Sequence, residues 1–236
     1  MQLSHIERKR FCGGGNVQPM RRLMVGMLLC VVAGGAFAVN LSAGGGLAVS
    51  TTSWNSSRSL AGTTVTVRDA FTPVSAKAFF DATYAQVSLG LIVATSVTQT
   101  GNTTTTSHHS ETLSYLSLAG LLKYPLDLGS VVVFPLFGIE YDLNLSHGSP
   151  DYFEGSGGLL AAPTAADYNQ LWLKAGVGAD VLLGRKLFIR PEVLVGVKPL
   201  NPDEANVVAA YQSVGYKNVS LTFLTIDFAL LVGYRL

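Results

Sequence analysis

The sequence predicts an all-β fold, an eight-stranded antiparallel up-and-down barrel that crosses a membrane behind an N-terminal signal peptide. Three observations point to it. Apolar and polar residues alternate in segment after segment, the mark of strands whose side chains point to opposite faces. Every strong charge in those segments falls on the phase opposite the aliphatic residues. The connections between segments alternate long and short, which gathers the long ones at one end.

Composition agrees. The 236 residues are 48% hydrophobic but only 13% charged, where a soluble domain carries about 25%. Much of the surface must therefore face something other than water. Residues 20–38 combine the basic pair Arg21-Arg22, an apolar run and an Ala36-Phe37-Ala38 exit, which reads as a signal peptide too short to span a bilayer. Cleavage is expected after Ala38 and the translation start at Met20, so that residues 1–38 form an extension plus signal and 39–236 the barrel. Past the cut the chain has eleven basic and fourteen acidic residues, a formal −3. That balance excludes a nucleic-acid partner, which calls for a basic patch. Both cysteines, Cys12 and Cys30, precede the cut, so disulfide and thiol chemistry are not expected in the mature chain.

Taken in order, the first strand (39–50) sets Val39, Leu41, Ala43, Leu47 and Val49 against Asn40, Ser42, Gly44, Gly46 and Ser50. A Ser/Thr-rich loop is expected over 51–72. The second strand (73–81) sets Val74, Ala76, Ala78 and Phe80 against Ser75, Lys77, Phe79 and Asp81. After a tight turn at Ala82–Thr83 the third sets Val87, Leu89, Leu91 and Val93 against Gln86, Ser88, Gly90 and Ala94. A loop over 99–111 carries His108 and His109. The fourth strand comes next, with Leu116, Leu118 and Leu122 against Tyr115, Ser117, Ala119 and Lys123.

The turn 125–130 is rich in turn-forming residues. The fifth strand sets Val131, Val133, Phe137, Ile139, Tyr141 and Leu143 against Phe134, Gly138, Glu140, Asp142 and Asn144. A Gly- and Pro-rich loop over 146–167 precedes the sixth, where Leu171, Leu173, Ala175, Val177, Ala179 and Val181 oppose Trp172, Lys174, Gly176, Gly178 and Asp180. The seventh strand, after the turn 184–186, sets Leu187, Ile189, Val193, Val195 and Val197 against Phe188, Arg190, Glu192, Gly196 and Lys198. A fourth long loop, 199–218, has a helical turn expected over 204–211. The eighth strand, 219–236, is the clearest: Leu224, Ile226, Phe228, Leu230, Val232, Tyr234 and Leu236 on one phase, Asp227 and Arg235 on the other. Pro135 and Pro191 lie inside strands, where proline removes a ladder bond, so bulges or strand ends are expected there.

The charged phase carries Lys77, Lys123, Lys174, Lys198, Arg190 and Arg235 with Asp81, Glu140, Asp142, Asp180, Glu192 and Asp227, six of each sign. Alternation alone would also fit a soluble barrel with its charges outward. The glycines on the charged phase favour the inward direction, because an eight-stranded barrel has an interior only just wide enough for side chains. A Lys or Arg facing lipid would cost about 2–4 kcal/mol at the midplane, and the balance of signs lets the charges pair inside. Two roles for these charges stay open: a salt-bridged plug, or the lining of a narrow polar path. Trp54, Tyr141, Tyr168 and Phe223 at one end and Tyr84, Tyr124 and Tyr234 at the other are expected as interfacial girdles.

Catalytic groups, metal ligands and cofactors are not expected. His108, His109 and His147 all fall in loops without a carboxylate at ligand spacing, and Gly176-Val177-Gly178 continues as strand instead of opening a helix.

These features resemble the small OmpX/OmpA/OmpW class of outer-membrane barrels. Ile189-Arg190-Pro191-Glu192, Gly138-Ile139-Glu140-Tyr141-Asp142 and Phe80-Asp81-Ala82-Thr83-Tyr84 are most similar to an OmpW-like member, and the resemblance covers residues 39–236. The chain departs from the class at Leu236, where Phe or Trp is usual. The resemblance implies a channel for small, hydrophobic molecules that are released sideways through the wall. It also implies contact with outer-membrane lipid and assembly through the C-terminal strand by the barrel-assembly machinery. The alternative is a non-conducting barrel whose loops bind a host ligand.

Overall fold

The computed structural model describes residues 40–60, 62–102, 105–146, 169–199, 202–213 and 215–236. The expected signal peptide, both cysteines, Tyr168, His147 and nearly all of the third long loop lie outside these residues.

Among the described residues, ten strands form one closed antiparallel sheet: β1 Ser42–Leu60, β2 Thr63–Phe71, β3 Val74–Ala82, β4 Ala85–Asn102, β5 Thr105–Lys123, β6 Leu126–Asp127, β7 Val131–Ser146, β8 Gln170–Leu182, β9 Leu187–Val197 and β10 Lys217–Arg235. Between β1 and β4, β2 and β3 lie end to end in a single position of the ring. The dipeptide β6 only extends the edge of β7. Eight staves therefore surround the interior, and β10 closes the ring on β1 from Ser42↔Arg235 upward. Closure leaves no strand edge, the condition for backbone inside hydrocarbon.

Two expected loops are strand instead. Residues 51–72 continue β1 to Leu60 and return as β2, with Leu60 opposite Thr63 and Gly62 at φ 85° in the turn. Residues 99–111 continue the β4–β5 ladder to Asn102↔Thr105. The Ser/Thr content that suggested loops is compatible with strand, since threonine favours it. Outside the bilayer both faces of a hairpin can be polar, so alternation vanishes while pairing continues. Thr63, Thr64 and Thr66 are exposed accordingly.

The fourth connection holds helix α1, Pro202–Ser213, longer than the turn expected over 204–211. Proline suits the first helical position, where its missing N–H costs nothing. The helix ends in a Schellman motif: Gly215 takes φ 94°, its N–H reaches Gln212 O, and the Tyr216 N–H reaches Tyr211 O. Arg58 of β1 stacks on Tyr211, 4.5 Å from ring centre, and ties the helix to the extended hairpin.

Neither interior proline causes a bulge. Pro135 keeps its rung to Val177 but lies where β5 has ended at Lys123↔Leu136 and β6 begins at Leu126↔Val133. Pro191 pairs with Leu230 on one side and sits in a gap of the β8–β9 ladder on the other, with register unchanged. Each is placed where the ladder has no rung to lose.

The fold is inside out relative to a soluble barrel. Leu47, Leu89, Phe137, Phe228 and Leu230 on the outer phase are exposed, while Arg190, Lys174 and Asp227 are 0–3% exposed. No soluble arrangement buries the ions and presents a continuous belt of Leu, Val and Phe. The belt faces lipid, and the core of this protein is polar and central.

Candidate functional site: the barrel interior

The inward phase builds three levels. Nearest the short turns, Arg190 of β9 is fully buried. Its Nε and Nη2 donate to Asp180 at 2.6 and 2.9 Å, Nη2 also to Asp81 Oδ2 at 2.7 Å, and Nη1 to Gln86 Oε1 at 3.1 Å. Lys123 donates to the same Asp81 oxygen, and Gln86 Nε2 passes on to Glu192 at 3.1 Å. The rings of Phe79, Phe134 and Phe188 lie 4.5, 5.0 and 5.0 Å from the guanidinium carbon. A desolvated cation among aromatic faces gains about 2 kcal/mol or more from each good contact. The rings fit because glycines lie beneath them. A Cβ on Gly233 would overlap the Phe188 ring, and one on Gly178 the Phe134 ring.

At mid-height, Lys174 of β8 donates to Glu140 Oε1 at 2.6 Å and to Asp227 Oδ2 at 2.5 Å. Lys77 stands 3.8 Å from Glu140. The Thr225 hydroxyl donates to Asp227 at 3.1 Å and receives from Thr52 at 2.9 Å. Asp142 Oδ2 accepts from the Trp172 indole at 3.0 Å, with the Ser117 hydroxyl beside the carboxylate.

Toward the long loops the interior turns apolar. Phe71, Ile92, Ala94, Leu113 and Tyr115 form a buried cluster with Trp54 packed against it. Between this cluster and the mid-height ions lies a cavity of about 40 Å³, room for about three waters at ~10–15 Å³ each. Above it Lys198 stands 5.5 Å from the Trp54 ring centre and 4.6 Å from that of Phe223.

Of the twelve charged positions read from the sequence, ten fall in the two ionic levels: Lys77, Asp81, Lys123, Glu140, Asp142, Lys174, Asp180, Arg190, Glu192 and Asp227. Lys198 is at the loop-side rim, and Arg235 is half-buried at the turn end. Sequence reasoning undervalued the aromatics. Trp54 and Phe223, expected in an outer girdle, face the interior, because each shares the phase of inward residues on its strand, Thr52 on β1 and Thr225 on β10. Phe79, Phe134, Trp172 and Phe188 share the charged phase, and that phase was the signal that located them. Tyr84, Tyr124 and Tyr234 are exposed at the turn end as a girdle requires, and Tyr141 is half-buried on the outer phase. His108 and His109 belong to the β5 extension. Among the described residues no group of His, Cys, Asp or Glu is arranged to hold a metal.

No protein-family model matches the chain, and no curated protein matches it. Solved structures do match. The outer membrane protein OprG from Pseudomonas aeruginosa is 14% identical over 84% of this chain and 96% of its own, with a TM-score of 0.46. The Escherichia coli outer membrane protein W is 16% identical over 85% and 100%, TM-score 0.38. The N-terminal β-barrel domain of Pseudomonas aeruginosa OprF is 9% identical over 81% and 99%, TM-score 0.31. At these identities and scores the matches are likenesses of architecture, and the strand pairing and the exposed apolar belt carry the assignment. The chain is an eight-stranded transmembrane β-barrel of the outer-membrane kind.

Proposed function

We propose that this barrel resides in the bacterial outer membrane and passes small hydrophobic molecules from its loop side into the lipid, leaving through its wall and not through its turn-side end. One observation carries the reading. The apolar interior cluster ends downward on ionic levels packed without exposure, and sideways on an interruption of the wall. Phe71 and Ile92 of that cluster flank the place where β2 stops and β3 has not begun. Rungs to β4 end at Phe71↔Ser96 and resume at Val74↔Val93, and Pro73 offers Ser50 only its carbonyl, at 2.8 Å. Pro73 itself lines the cavity. Val49, Val74 and Val93 beside the gap are exposed on the outer face, so an opening there meets the apolar belt.

The lumen charges act in this reading as the plug that forces the sideways route, and the barrel is not an enzyme. Export with cleavage after Ala38, and assembly through the C-terminal strand, belong to the same proposal. The test is entry of a small apolar dye into proteoliposomes, paired with conductance in planar bilayers. Dye entry above protein-free vesicles without steady ionic steps is expected, and Pro73→Val, which restores a ladder donor, should slow entry severalfold. Entry equal to protein-free vesicles, or untouched by Pro73→Val, would sink the reading. The tall β1–β2 and β4–β5 hairpins favour the second reading, a host-binding barrel. Silence in both assays, together with ligand binding lost on trimming those hairpins, would establish it.

A further inference from the structure

The cavity above the mid-height ions contains two buried polar atoms that bond to nothing among the described residues. Asp142 is 5% exposed; its Oδ2 is occupied by Trp172, and its Oδ1 has no partner of acceptable geometry, although the Ser117 hydroxyl lies beside the carboxylate. The indole Nε1 of Trp54 is likewise buried without an acceptor. Both residues line the cavity. Leaving such a group unmatched is costly, and more so for a charged one, so an orphan acceptor on a cavity wall is a recognition element awaiting a donor. Among the described residues, the carboxylates of Glu140, Asp142 and Asp227 line the cavity with the Lys174 ammonium, while Lys77 stands behind Glu140 and Lys198 beside Trp54 at the upper end.

We infer that the cavity is a binding site for a small primary ammonium with an apolar tail. The head group donates to Asp142 Oδ1, and the tail lies along Trp54, Phe71 and Ile92. The size fits this division of labour, since the polar end of the cavity has room for a few heavy atoms and the apolar wall continues above it. The inference deepens the transport reading by naming the solute class, and it rests on that reading only for the passage that comes after binding.

The molecule supplies its own reporter, because the two tryptophans of the chain, Trp54 and Trp172, both line this cavity. Intrinsic fluorescence of the barrel isolated from the membrane is titrated with hexylammonium, hexanol and hexanoate, with a single-chain ethanolamine phospholipid alongside. Saturable binding of hexylammonium, about tenfold or more tighter than hexanol, is expected from one charge-assisted hydrogen bond, with hexanoate weakest. Asp142→Asn keeps an acceptor for Trp172 but turns the orphan position into a donor, and should erase the preference. Equal affinity for the three hexyl compounds overturns the inference, and so does a preference that survives Asp142→Asn. Binding by the ethanolamine lipid alone also overturns it. The wild-type comparison decides the matter even if Asp142→Asn fails to fold. Selective binding without dye passage would leave this site standing and sink transport; passage without selectivity would do the reverse.

Discussion

The turn-side and loop-side halves of the interior are built from the same inward phase of the same staves, yet they differ in one respect. Around Arg190 every donor is matched, Oδ1 of Asp81 alone lacks a partner, and the remaining space is ring. Around Asp142 a cavity remains, two polar atoms lack partners, and the neighbouring wall is interrupted. The contrast teaches where stability and function reside. A packed ionic level resists opening because removing any member strands a charge in a dry medium, whereas the loop-side half keeps groups in reserve for something that is not protein.

The contrast breaks first, and hardest, at Arg190. Arg190→Met should destabilise the barrel by about 3–5 kcal/mol, the cost of stranding a buried charge partner, because Asp180 and Asp81 lose their principal donor. Urea unfolding in lipid bicelles measures it, and a loss under about 1 kcal/mol, no more than an exposed pair is worth, would show that the turn-side level is not the keystone.

Lys174→Met probes the other level. It strands Glu140 and Asp227, but the adjoining cavity admits water and Lys77 stands near, so about 2–3 kcal/mol is expected, below the stranded-partner range. A cost equal to that of Arg190→Met would erase the distinction between the halves.

Gly178→Ala sets a Cβ against the Phe134 ring and should cost about 1–2 kcal/mol by overpacking. A neutral result would mean that the ring shifts freely and the level is less tight than described. Smallest, and opposite in sign, Pro73→Val should add about 0.5–1 kcal/mol, one hydrogen bond's worth, by supplying the N–H that completes the rung to Ser50 of β1 beside the wall gap. Its unfolding midpoint falling below wild type would show that the gap is held open by more than proline.

Legibility tracked the range of the forces involved. Alternation placed Lys174, Asp227 and Arg190 on the inward phase because facing direction is decided residue by residue. It could not pair them: Lys174 meets Glu140 of β7 and Asp227 of β10, a choice set by the stagger of the closed ring. The extensions of β1, β2, β4 and β5 were hidden for a related reason. Thr63-Thr64 and its neighbours need no apolar face once outside lipid, so they carry no period to read. Trp54 looked like a girdle residue by its distance from the strand's middle, whereas its phase with Thr52 turns it inward.

The amino-acid order by itself determined that this chain alternates and that its ions share one side, since both are dictated by strand geometry; that lipid lies on the other followed from the burial of those ions and the cost of a charge in hydrocarbon. Only the tertiary structure decided which ions are spent on one another and which oxygens, Oδ1 of Asp81 and Oδ1 of Asp142, are left over, with only the second on a cavity wall. A leftover exists only after closure has brought eight distant segments around a common axis and every nearer partner has been taken.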